Sequence, residues 1–290
     1  GAPWFRSYLG EVAAHQLLIA SATSEIGTGG DIGRSVAAVE GGPDGLLTFE
    51  KRAPSVSYGA HCDGYLTTVR RRPGAAPRDQ VMVLHRRDET ELEPFGTWDT
   101  IGMRGTCSSG FVLRPRFTPQ QVLAANAADV LIESMVPVSH VLWSFVWLGI
   151  ASDAFERGRA YWREAARRQA GDPPAAVQRL AQVMSRLSML RDGAHAGLND
   201  LVTIPERPAT HGLGTMGSVL RFNNLKLAAS EQAPRICADM LSVIGAEAYR
   251  NDSRFALGRH LRDALSAQLM VANGRILEAD ASLLLITKSL

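Results

Sequence analysis

The run Gly96-Thr97-Trp98-Asp99-Thr100-Ile101-Gly102-Met103-Arg104-Gly105-Thr106-Cys107-Ser108 combines one indole, three glycines, acidic and basic side chains and a row of small hydroxyl or thiol groups. Such a composition suits a backbone that comes close to a planar, heteroatom-rich ring. Glycine permits the approach because it lacks a Cβ, and hydroxyls with free N–H groups can hydrogen-bond the ring's edge. On spacing alone, a glycine-rich turn between two strands is the better explanation of the run. Two further stretches have the same character. Thr23 and Ser24 open the turn-rich segment Ser24-Glu25-Ile26-Gly27-Thr28-Gly29-Gly30-Asp31-Ile32-Gly33, whose exposed amides at a strand end could hold an anion or a carbonyl. It is no dinucleotide fingerprint, because Ile32 occupies the sixth position of the G-x-G-x-x-G frame that starts at Gly27. Ser55 and Ser57, with Tyr58 beside them, lie in the loop Ala53–Asp63.

Several other chemistries are disfavoured. Cys62, Cys107 and Cys237 are isolated and lack Cys/His ligand spacing, so neither a disulfide framework nor a metal site is expected. A cytoplasmic, reducing compartment fits that usage. A net charge of +2, with Arg70-Arg71-Arg72 as the one short basic run, argues against a nucleic-acid partner. The most apolar run, 136–150, is interrupted by Pro137, Ser139 and His140 and is expected to be too short and polar to span a bilayer. Lysine occurs only as Lys51, Lys226 and Lys288, a bias attributed to genome composition.

The elements that must position these loops fall into two parts, an α+β arrangement with an expected boundary between 1–123 and 124–290. In the first, a short helix over Trp4–Val12 precedes a strand over His15–Ala22. Short alternating segments follow at Ser35–Val39, Leu46–Phe49, Tyr65–Val69, Val81–Leu84 and Gly110–Leu113, punctuated by turns such as Pro73-Gly74. Regular short strands of this kind predict a small β-barrel or sandwich. In the second part, Val130–Arg168 is apolar almost all round in its first half, as in a helix buried among others. Asp172-Pro173-Pro174 restarts a helix with proline in its first turn, carrying the stripe Val177, Leu180, Val183, Leu187 and Leu190. Ser218–Tyr249 and Arg254–Ile286 complete four long helices, an antiparallel four-helix bundle.

Trp98-Asp99-Thr100-Ile101-Gly102-Met103-Arg104-Gly105-Thr106-Cys107-Ser108 resembles the W-D-x-x-G-M-R-x-T-x-S segment in the middle domain of acyl-CoA dehydrogenases and their flavin monooxygenase relatives. Ser24, Glu25, Gly29, Gly30 and Asp31 follow the family's T-E-P-x-x-G-S-D loop, with Ile26 in place of proline and Gly30 in place of serine. Leu148-Gly149-Ile150-Ala151, Leu225-Lys226, Ile244-Gly245-Ala246-Glu247-Ala248-Tyr249 and Arg259-His260-Leu261-Arg262-Asp263-Ala264 are similar to landmarks of the family's C-terminal domain. The resemblance implies FAD bound through Thr23, Ser24, Gly29, Gly30, Ser55, Ser57, Trp98, Thr106 and, at its adenine end, Gly245. It also implies an acyl-CoA or acyl-carrier-protein thioester as substrate, α,β-desaturation as reaction and a homodimer or tetramer. The family's N-terminal helical domain has no counterpart in the sequence, so a partner chain or a separated segment is expected to supply it.

Desaturation needs a carboxylate to take the α-proton. In many family members it follows the R-D-A motif, but Leu269-Met270-Val271-Ala272-Asn273-Gly274 contains none. Some members carry the base on the first bundle helix, where the nearest acids are Asp153 and Glu156. Asp153, four residues after Gly149, is the better candidate, with a solvated helix acid as the plainer alternative for both. The R-x-x-F-G segment that grips a neighbouring subunit's flavin pyrophosphate is not recognisable in Arg167-Arg168-Gln169-Ala170-Gly171-Asp172. Two other functions therefore stand beside the dehydrogenase: a flavin-dependent monooxygenase, which needs no α-proton base, and a non-catalytic subunit that completes a partner's flavin site.

Overall fold

A computed structural model describes residues 2–42, 44–168, 175–206 and 212–286. The chain forms two compact units, Gly1–Thr100 with Arg104–Leu131, and Ile101–Met103 with Ile132–Leu290. The boundary thus falls eight residues beyond the expected one. The reason is local: Val122 bridges Val83, Leu123 N donates to the Met82 carbonyl, and the short helix α2 (Ala127–Val130), capped by Asn126, stays with the first unit.

The first unit opens with α1 (Ala2–His15), longer at both ends than the sequence suggested, and continues through β1 (Ile19–Ala22), β2 (Glu40–Gly41), β3 (Leu47–Thr48), β4 (Lys51–Ala53), β5 (Gly64–Arg70), β6 (Gln80–Arg86), β7 (Thr90–Phe95) and β8 (Gly110–Phe117). The strands make two sheets instead of a closed barrel: β1-β5-β6, and a second in which β8 pairs with β3, β4 and β7 while β2 continues from β3. β1 runs parallel to β5, whereas β5 and β6 are antiparallel with Tyr65 opposite His85. Ser35–Val39 is not a strand; Ala38 makes only an isolated bridge to Arg70. β4 and β7 were missed because Lys51-Arg52-Ala53 is too short to show alternation and Glu91, Glu93 and Pro94 disguise an edge-like strand.

The core of this unit joins Phe49, Val56, Tyr65, Val81, Val83, Phe111, Leu113 and Phe117. His85 is fully buried within it and stacks on Tyr65 at 5.2 Å. The Thr90 hydroxyl donates to the Arg86 carbonyl at 2.7 Å, so its oxygen accepts from His85 Nδ1, also at 2.7 Å. Nε2 is then left to accept from Thr67 at 2.9 Å. Burial pushes the imidazole down to about 3, which keeps this core residue neutral.

The second unit is built on α3 (Val136–Arg168), α4 (Ala175–Thr203) and α5 (Met216–Ile244), followed by α6 (Ala246–Tyr249), α7 (Gly258–Ala264) and α8 (Asn273–Leu284). The stripe of α4 is buried at Val183, Leu187, Leu190 and Ala194, and it meets Trp147, Ala151 and Phe155 of α3 and Ala229, Ala233, Ile236 and Met240 of α5 in one core. The expected proline restart at Asp172-Pro173-Pro174 lies outside the described residues. The run 136–150 lies within a longer helical stretch, 127–168, that is long and apolar enough to cross a membrane by length and composition only, as a buried core helix also is; its buried residues include Val141, Trp147 and Leu148.

The fourth long helix is not continuous. A 3₁₀ turn (Leu265–Gln268) follows α7, and the chain bends at Leu269–Ala272 before α8 begins. Val271 sits there at φ 48°, a left-handed conformation that interrupts a right-handed helix and is strained for a β-branched residue.

Ile101–Met103 packs within this helical unit. Met103 N donates to Asp263 Oδ1 at 2.7 Å, and Gly102 lies so close to α7 that an added Cβ would overlap the Arg262 carbonyl and stand 2.8 Å from Asp263 N. Gly102→Ala is therefore expected to lower stability in chemical denaturation by about 3 kcal/mol, an overpacking cost. Gly105→Ala, with nothing within 4 Å of its Cβ, is expected to stay within about 0.5 kcal/mol of the parent.

Candidate functional site

In the β-unit the segment after β1 is anchored from below by a buried charge. Lys51, the first residue of β4, has no exposed surface, and its Nζ donates to the Thr68 carbonyl at 2.6 Å and the Thr23 carbonyl at 3.4 Å. Glu25 Oε2 lies 3.5 Å away, and Glu25 Oε1 accepts from Ala37 N at 2.6 Å. Burial pushes the Lys51 ammonium down to about 8 against the pull of Glu25. Thr23, Ser24 and Glu25 are thus fixed by a lysine whose charge is met entirely by oxygen.

Above this anchor three loops converge. Ser24 Oγ donates to the Ser55 carbonyl at 3.1 Å, which joins the first loop to the second. Ser57 Oγ and Ser108 Oγ are 2.8 Å apart, as are Thr106 Oγ1 and Ser108 Oγ, which joins the second loop to the third. The backbone repeats the connection: Val56 N donates to Ser109 O at 3.1 Å and Tyr58 N to Thr106 O at 3.0 Å. Tyr58 and Cys107 beside this cluster have φ 55° and 45°, uncommon for side chains of their size and a type of strain that gathers at ligand sites. Ser57 is exposed whereas Ser108 is buried beneath it, so the outer hydroxyl faces solvent on a rigid footing. Ser108 was not singled out from the sequence; its place two residues after Thr106 in the same run was the available signal.

Gly29 and Gly30 are exposed and left-handed at φ 63° and 83°, conformations that glycine adopts without penalty. Trp98 is half-buried in the connection between β7 and β8. Cys107, between Thr106 and Ser108, is exposed. Among the described residues no group of His, Cys, Asp and Glu could hold a metal ion.

The helical unit holds the remaining candidates. Gly245 ends α5 at φ 79°, its N–H bonded to Leu241 O at 2.9 Å, which is a helix cap that only glycine makes cheaply. Close to it in sequence, Ser242 and Val243 line a cleft of about 180 Å³ with Arg179, Gln182, Arg186 and Asp239. Arg186 pairs with Asp239, while Arg179, seven residues earlier on the same helix face, is suited to an anion. The i, i+7 spacing of these arginines was visible in the sequence but passed over.

Asp153 is engaged on two sides. It accepts from Arg157 Nε at 2.9 Å and pairs with His260 Nε2 at 2.5 Å. Its slight burial works against ionisation, but the Arg157 and His260 hydrogen bonds prevail and hold its carboxyl below the usual range. Such a carboxylate ties α3 to α7 and is a weak proton acceptor. In the Leu269–Gly274 turn, Asn273 Oδ1 accepts from Lys226 Nζ at 2.6 Å, and its amide donates to Ser230 Oγ at 3.1 Å.

Residues 141–273 match the family model for the acyl-CoA dehydrogenase C-terminal domain. The chain has the acyl-CoA dehydrogenase fold. Butyryl-CoA dehydrogenase from Megasphaera elsdenii superposes with a TM-score of 0.77 at 17% identity over 93% of this chain and 68% of its own. FMN-bound TdsC from Paenibacillus sp. A11-2 gives 0.79 at 19% identity over 95% and 72%. KijD3 in complex with dTDP gives 0.79 at 22% identity over 93% and 67%. No curated protein sequence matches the chain. Within this acyl-CoA dehydrogenase fold the converging hydroxyl loops form one edge of the β-unit, and the Arg-lined cleft lies in the helical unit.

Removing the anchor tests its importance. Lys51→Met leaves Glu25 as an unpaired buried carboxylate and is expected to cost about 3–5 kcal/mol in denaturant unfolding. Adding Glu25→Gln is expected to recover much of that loss, because the stranded charge disappears.

Proposed function

We propose that this chain is a flavin-dependent oxidoreductase with FAD as its flavin, and that its reaction is monooxygenation of a small organic substrate instead of α,β-desaturation of an acyl thioester. The β-unit loops suit the isoalloxazine edge: Ser57, Thr106 and Ser108 offer hydroxyls, and the Gly29-Gly30 turn offers backbone unhindered by side chains. Arg179 in the helical cleft offers a guanidinium to a phosphate of the cofactor. By the family resemblance Gly245 stands at the adenine end of the flavin, and the assembly is a homodimer or tetramer. A bound reduced flavin supplies the electrons that activate oxygen, delivered by a separate reductase.

One observation carries the choice of reaction. In the turn where the family resemblance places the α-proton acceptor, the polar side chain is Asn273, an amide with no proton-accepting capacity near neutral pH, whose oxygen is already occupied by Lys226. Asp153, the other candidate, is committed to Arg157 and His260. The chain's own residues thus bind and orient without abstracting an α-proton.

Two assays on the FAD-loaded protein decide between the reactions. Without oxygen, a series of acyl-CoA thioesters is expected to leave the flavin band near about 450 nm unchanged. With oxygen, NADH and a flavin reductase, indole as a probe substrate is expected to acquire an oxygen atom. Bleaching by any acyl-CoA in the absence of oxygen would contradict monooxygenation and restore the dehydrogenase.

A further inference from the structure

The bend between α7 and α8 is held by a charge. Leu269 is 75% exposed and Ala272 and Gly274 are exposed, so the turn's apolar contact with the helical core comes mainly from half-buried Met270. Val271 adopts φ 48°, which costs a β-branched residue on the order of 1–3 kcal/mol. Against this stand the contacts of Lys226, a side chain of α5 with no exposed surface. Its Nζ donates to the Val271 carbonyl at 2.8 Å and to Asn273 Oδ1 at 2.6 Å, and lies 5.8 Å from the ring centroid of Trp147 on α3. One ammonium therefore binds the carbonyl of the strained residue, the first side chain of α8 and the face of an indole.

We propose that Lys226 is a positioning residue whose ammonium, rather than apolar packing, sets the conformation of the Leu269–Asn273 turn. This turn stands where the family resemblance expects a proton acceptor, and its bearing on the reaction rests on the reading above, in which Asn273 occupies that place. The groups around Lys226 leave its charge otherwise uncompensated. On α5 itself its polar neighbours are Asn223 and Ser230. Asn223 donates to Asp280 Oδ1 of α8 at 2.6 Å, and Ser230 is hydrogen-bonded to Asn273. His140 faces it from α3, pushed down to about 4 by burial and by Lys226 itself, so it is neutral near pH 7. Burial lowers Lys226 to about 8, which places discharge of the clamp within reach of experiment.

Hydrogen exchange read by mass spectrometry on the full chain, parent against Lys226→Met, tests this between about pH 6.5 and 9.5. Near pH 7 the amides of 269–276 are expected to exchange about tenfold faster or more in Lys226→Met, with α3, α4 and α5 unchanged. That ratio is expected to shrink as the pH passes about 8 and the parent's own ammonium discharges. Asn273→Ala removes one of the two acceptors while leaving the core lysine in place, so it keeps the test informative if Lys226→Met fails to fold; about threefold faster exchange is expected for it. Equal protection in parent and variants, or a ratio independent of pH, would overturn the proposal. Flavin absorbance of the same samples answers separately: a parent that binds no flavin counts against the proposed function and leaves the exchange result standing.

Discussion

An ammonium taken out of water must be met by oxygen atoms, and in this protein each unit is arranged around one such demand. In the β-unit Lys51 draws the Thr23 and Thr68 carbonyls and the Glu25 carboxylate toward one point, and thereby fixes the root of the first candidate flavin loop. In the helical unit Lys226 draws in the Val271 carbonyl and the Asn273 amide, and thereby bends the chain between α7 and α8. An arginine could not substitute in either place. Its planar fork spreads five donors over a wide area, whereas a compact ammonium converges on carbonyls from one side. A chain that uses arginine for nearly all its other basic positions keeps lysine where this geometry requires it. Lys288 lies outside the described residues.

Much of the architecture was legible in the residues. The stripe Val183, Leu187, Leu190 identified the inner face of α4, and the alternation around Tyr65–Val69 and Val81–Leu84 located the paired strands β5 and β6. The motif around Trp98–Ser108 pointed to the loop that the structure joins to Ser57 through Ser108 and to Tyr58 through the Thr106 carbonyl. These features share a cause: each is a local pattern, decided by which side chains face a core or a close neighbour.

What escaped the sequence depends on distant partners. Nothing near Val271 announces a left-handed residue, since its conformation answers to Lys226, forty-five positions earlier. The unit boundary moved because residues 122–131 complete the β-unit through Val83 and Met82. Gly102 looked like part of a glycine-rich turn, yet its lack of a Cβ is demanded by Arg262 and Asp263 on α7. Asp153 reads as a free helix acid until His260, over a hundred residues later, is brought against it. In each case a long-range contact overrides the local propensity.

The account centres on the claim that the hydroxyl edge of the β-unit, from Ser24 through Ser57 to Thr106 and Ser108, holds a flavin. Titration of FAD into the purified protein, followed by quenching of flavin fluorescence, tests it most directly, with Ser57→Ala/Ser108→Ala measured alongside. Saturable binding with a dissociation constant of about 10 µM or tighter, weakened at least about tenfold in the double variant, is the expected result. Binding of equal strength in both proteins, or no saturation at all, would contradict it.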